Sequence, residues 1–134
     1  MNRSVKIVAI LALMASTGLA VATSKTMSSK EIMGKLNKGP KSLTQLLRKE
    51  LQAAQPPWEE IQNQTREYVT LTTDLCKCEP SKGDADSWAK LTKQYVDAAQ
   101  ALDGAAQKKD QAAAMAAHGR ITRSCAACHR AHRG

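Results

Sequence analysis

From Ser28 onward, apolar residues recur at spacings of three and four, and no stretch alternates with period two, so the pattern predicts helices and no sheet. The first helix runs from Ser28 to about Lys38. It opens on Ser28-x-x-Glu31 in capping-box form and carries Ile32, Met33 and Leu36 on its apolar side. Lys38-Gly39-Pro40 interrupts it. A second stretch, Ser42 to about Gln55, has Gln45 as a reciprocal cap and Leu43, Leu46, Leu47 and Leu51 on one face, and the two stretches read together as one broken helix. Pro57 to about Leu75 forms a long helix with Trp58, Ile61, Thr65, Tyr68, Thr72 and Leu75 as a bundle stripe. After the breaker-rich loop 78–84, a fourth helix starts near Asp86 or Ser87, repeats the stripe with Trp88, Leu91, Tyr95, Ala98 and Leu102, and ends between Gly104 and Lys109. Asp110 caps the last helix, which runs through Ala112, Met115, Ile121 and Cys125 to about His132. Short loops between these units predict an all-α fold, an antiparallel four-helix bundle in up-down order.

The start of the chain differs. Residues 1–22 have the form of a secretory signal peptide: Arg3 and Lys6 lead, Ile7 to Met14 form the apolar stretch, and Ala20-Val21-Ala22 supplies the small residues of a cleavage site. The apolar run is shorter than the roughly 20 residues a spanning helix needs, so no stable membrane insertion is expected after cleavage. The expectation is an exported, periplasmic protein whose single domain covers residues 23–134. Losing Arg3 and Lys6 takes two charges from the net +8 and leaves a basic surface suited to acidic partner proteins. Nucleic acid is disfavoured, because the charge is spread out and no recognition motif accompanies it.

Chemistry concentrates in Cys125-Ala126-Ala127-Cys128-His129, the C-x-x-C-H signature of covalent c-type haem attachment. A spacing of three places both thiols on one face of a helix, where they add across the two vinyl groups of a porphyrin, and His129 follows as the proximal iron ligand. A thioredoxin-like dithiol expects a βαβ neighbourhood that is absent here, and a four-thiolate zinc site with Cys76 and Cys78 would leave His129 unused. Cys78 is followed by Glu79-Pro80 rather than a histidine, so one haem is expected, not two. A disulfide between Cys76 and Cys78 would close a strained ring; an intermolecular bridge, a metal-binding pair and free thiols all stay open for them.

An export signal, a four-helix pattern and C-x-x-C-H on the last helix together resemble the cytochrome c-prime family, the class II c-type cytochromes. The likeness extends to the tail, Cys128-His129-Arg130-Ala131-His132-Arg133, with His132 standing where that family has an aromatic ring. In an up-down bundle the start of the first helix lies beside the end of the last, which puts Met33 opposite His129. Low-spin members similar to this pattern use a first-helix methionine as sixth ligand, which would make Met33 an iron ligand beside His129; ordinary core packing is the other reading of Met33. Met27 is the weaker alternative. The resemblance also implies a possible homodimer.

His118 lies eleven residues before His129, about 16 Å along the helix axis, and is expected to be a partly exposed structural residue. His132 is expected to line the haem edge, and Arg130 and Arg133 either pair with propionates or are solvated charges at a helix end. Three functions follow in order: a soluble electron carrier, a five-coordinate haem protein binding NO or CO, and a peroxidase-like enzyme, for which Lys30, Glu31 and Lys35 are poorly spaced. No dedicated substrate site, hence no enzyme, is expected.

Only 3% of the residues are aromatic and none is Phe, which leaves little bulk for a core. Burying porphyrin area at about 25 cal/mol/Å² contributes on the order of 10 kcal/mol before opposing terms. The haem-free chain should therefore be poorly folded; a cooperative thermal transition in haem-free protein would show otherwise.

Overall fold

The computed structural model describes residues 26–134, so the expected signal peptide lies outside the described residues. Among the described residues the fold is all-helical: α1 (Ser29–Asn37), α2 (Leu43–Leu51), α3 (Trp58–Cys76), α4 (Ala85–Gln107) and α5 (Gln111–His132). Helices α1 and α2 share one corner of a four-helix bundle, with α1 against α3 and α2 bridging α3 and α5. No described helix is long and apolar enough to cross a membrane.

Local signals start the helices. The Ser28 hydroxyl accepts from the Glu31 amide at 3.3 Å while the Glu31 carboxylate accepts from the Ser28 amide at 2.8 Å, completing the capping box. Asp84 accepts from the Ser87 amide and Asp110 from the Ala113 amide, so α4 and α5 begin on carboxylate caps. Ser42 departs from expectation: it precedes α2, but its side chain makes no capping bond and its buried hydroxyl has no partner. Helix α2 also stops at Leu51, short of Gln55. Pro56-Pro57 disfavours helix in the residue before it, and the Gln111 amide donates to the carbonyls of Leu51 (2.7 Å) and Ala53 (3.1 Å), which satisfies the unwound segment.

Pairings between helices establish direction. Along α3 and α4, Gln62 reaches Ala106, Thr65 reaches Asp103 at 2.7 Å, Tyr68 reaches Tyr95 at 2.7 Å and Trp88 reaches back to Cys78 at 2.7 Å, an antiparallel series. Along the α1–α2 arm and α5, Gln111 meets Leu51 and His118 meets Thr44, again with numbers running in opposite directions.

The core is aliphatic, filled by Ile32, Leu36, Leu47, Leu51, Ile61, Leu71, Leu75, Leu102 and Ile121 around the Tyr68–Tyr95 pair. Those rings meet edge to face at 6.0 Å. In α5 the buried positions are Ala114, Ala117, His118 and Ile121, whereas Ala112 is exposed and Met115 is 43% exposed. The expected face was rotated because alanine marks both sides of this helix alike. His118 is also buried rather than partly exposed, since its Nε2 donates to the Thr44 carbonyl at 2.9 Å.

A clamp ties the end of α5 to the α3–α4 loop. His132 is buried; its Nδ1 donates to the Lys82 carbonyl at 2.9 Å, its Nε2 lies 3.1 Å from the Ser87 hydroxyl, and its ring meets Trp88 edge to face at 5.3 Å. Ser81 donates to the His132 carbonyl at 2.8 Å. Gly83 permits this approach: its φ is +86°, and a Cβ there would sit 2.5 Å from the Ala131 carbonyl oxygen and 2.8 Å from His132 Nδ1. Substituting Gly83→Ala should cost about 1–3 kcal/mol of stability, read as a lowered denaturation midpoint with an unchanged slope.

Candidate haem site

Helices α1 and α5 keep their backbones apart: no Cα of one lies within 8 Å of a Cα of the other. The space between them is a partly open pocket. Met33 and Asn37 of α1, Leu75 of α3, Leu91, Thr92 and Tyr95 of α4, and Ser124, Cys125, Cys128 and His129 of α5 line it. The two thiols, the imidazole and the thioether singled out from the sequence thus share one cavity. The cysteines are half-buried and His129 is exposed.

Burial pushes both thiols above their ordinary value; the Cys125 backbone partly opposes this at Cys125, and the Cys125 thiol adds to it at Cys128. Dithiol redox centres do the reverse, holding a low-pKa cysteine at a helix N-terminus, whereas this pair sits in the last turns of α5. Cys76 and Cys78 line a different region. Cys76 is exposed, and Cys78 is half-buried with its Sγ 3.6 Å from the Asp74 carbonyl and 3.7 Å from that of Met27. Among the described residues no three His, Cys, Asp or Glu side chains gather as a metal site, so the four cysteines do not form the zinc cage considered above.

His132 does not line the cavity; the clamp turns it toward the α3–α4 loop. Its ring packs on Trp88. Met27 is also outside the cavity and packs against the core.

Periodicity did not reveal a hydroxyl chain behind the cavity. Thr44 Oγ1 donates to Asn37 Oδ1 at 2.9 Å and lies 2.9 Å from the Tyr68 hydroxyl, which is 2.7 Å from the Tyr95 hydroxyl. Thr44 has one proton, already given to Asn37, so Tyr68 donates to Thr44 and Tyr95 donates to Tyr68. At the other end Asn37 Nδ2 donates to Met33 Sδ at 3.6 Å. The Met33/Asn37 spacing of four was a readable helical pair; the long-range members were not.

This bundle and donor set fit a c-type haem protein. The sequence model of the family described as Cytochrome C' matches residues 83–133, from Gly83 of the clamp to Arg133, and supports the cytochrome c-prime family for the chain. No curated protein and no solved structure matches it. The family implies covalently bound haem c with its iron. The residues present fit that group: two thiols and an imidazole on one helix edge face an apolar wall of Leu75 and Leu91, in a gap that the helices themselves leave open.

Burial raises the Tyr95 phenol far above its ordinary value of 10.0, with Tyr68 adding to the rise and Asn37 opposing it; burial raises Tyr68 as well, with Thr44 and Tyr95 opposing. The unfolded chain therefore releases these protons first. Their contribution to stability is fully present below about pH 10 and is lost as pH climbs above it. Tyrosinate absorbance should appear together with unfolding in an alkaline titration; ionisation of either phenol in still-folded protein would contradict this.

Proposed function

We propose that the protein is an exported monohaem electron carrier, with haem joined to Cys125 and Cys128, His129 as proximal ligand and Met33 as sixth ligand. The observation that carries this reading is Met33's place in the same cavity as His129, on the helix across the gap. When bound, the haem supplies a one-electron couple, and thioether ligation raises its potential. The chain's own residues hold and orient it: the thiols anchor one edge, Leu75 and Leu91 exclude water, and Met33 closes the opposite face.

The lining side chains include no carboxylate, lysine or arginine, which weighs against an acid–base enzyme. Glu31, a candidate for such a role, is engaged in capping Ser28. A net charge of +6 without the leader, about +4 with two haem propionates, suits an acidic redox partner. Arg130 and Arg133 at the end of α5 are exposed and suited to the propionates.

The competing reading is a five-coordinate haem that takes NO or CO, with Met33 as packing. The Met33→Ala variant separates the two. For the carrier, wild-type protein is low-spin in both oxidation states and indifferent to CO, and the variant becomes high-spin and binds CO. A high-spin wild type that binds CO, with a spectrum Met33→Ala leaves unchanged, makes gas binding the function instead.

A further inference from the structure

Asn37 lies one helical turn beyond Met33 and is exposed, yet both ends of its amide are assigned by neighbours. Thr44 donates to Oδ1 at 2.9 Å, and that hydroxyl is held by the buried Tyr68 and, through its own backbone carbonyl, by the buried His118. With the oxygen taken, only the amide nitrogen can face the sulfur. The reverse orientation would set an oxygen lone pair against those of the thioether.

We infer that Asn37 is a positioning residue for the sixth ligand, oriented by Thr44 so that its N–H hydrogen-bonds the Met33 sulfur and tunes that sulfur as an iron donor. This rests on Met33 being the ligand. A thioether has two lone pairs, so one can meet the metal while the other accepts from Asn37. The hydrogen bond draws density from the sulfur and favours the reduced state, because ferric iron depends more on that donation. Thr44 acts at one remove: without its hydroxyl the Asn37 oxygen loses the donor that assigns it.

The experiment is a spectroelectrochemical titration of haem-loaded wild-type, Asn37→Leu, Thr44→Val, Thr44→Ser and Met33→Ala proteins. Asn37 is exposed, so its replacement spares the core, and Thr44→Ser keeps the hydroxyl should Thr44→Val fold poorly. Asn37→Leu and Thr44→Val should retain the low-spin spectrum but shift the oxidised-to-reduced equilibrium about threefold toward the oxidised form, a fall of ~28 mV in potential, with Thr44→Ser close to wild type. Low-spin Asn37→Leu protein at the wild-type potential, where Met33→Ala has lost its sixth ligand, overturns the role of Asn37 and leaves Met33 in place. A Met33→Ala spectrum identical to wild type overturns the ligand assignment itself and the role of Asn37 with it.

Discussion

The register between the α1–α2 arm and α5 is the constraint on which the site depends. Gln111 on the carbonyls of Leu51 and Ala53, and His118 on the carbonyl of Thr44, lock α2 to the first half of α5. From there α1 diverges, turned by Gly39 at φ +81°, and leans on α3 instead. The lock and the turn together produce a gap beside the last two turns of α5. Had α1 continued straight from α2 along α5, side chains would fill the space where a porphyrin has to lie.

The polar core follows the same logic. An alanine-rich bundle with two tyrosines and no phenylalanine must bury phenol groups, and each buried hydroxyl needs a partner. Tyr95, Tyr68 and Thr44 meet that need in series, each giving its proton to the next, so the chain has one polarity and ends on Asn37. Direction imposed deep in the core thereby reaches an exposed amide at the edge of the cavity.

Helix existence, the Ser28 and Asp110 starts and the α3 and α4 stripes were legible because they depend on residues a turn apart, whereas α4 begins at Ala85 on an Asp84 cap, ahead of the expected Asp86 or Ser87. The C-x-x-C-H pentapeptide was visible for the same reason, and bundle topology then sufficed to bring Met33 to its side of the molecule. What escaped the sequence depends on distant partners. The early end of α2 relies on Gln111, sixty residues beyond Leu51, and the burial of His118 on a carbonyl of Thr44, seventy-four residues away. His132 was assigned to the haem edge because its place on α5 was visible while Lys82, Ser87 and Trp88, which capture it, were not. Met115 was misassigned because a run of alanines gives no contrast between faces.

The family match begins at the clamp glycine and ends at Arg133, so it coincides with the α4–α5 hairpin. That hairpin holds Cys125, Cys128, His129 and the clamp residues from Gly83 onward, which include the side chains proposed to anchor the haem. Met33, Asn37 and Thr44 stand on the α1–α2 arm, outside the match. On the proposed reading, attachment and reactivity are encoded in separate lengths of chain. If Met33 and the hairpin act as proposed, evolution or a protein engineer can rewrite what meets the open face of the iron by exchanging about two dozen residues at the front of the domain, while the hairpin that would receive the cofactor stays as it is.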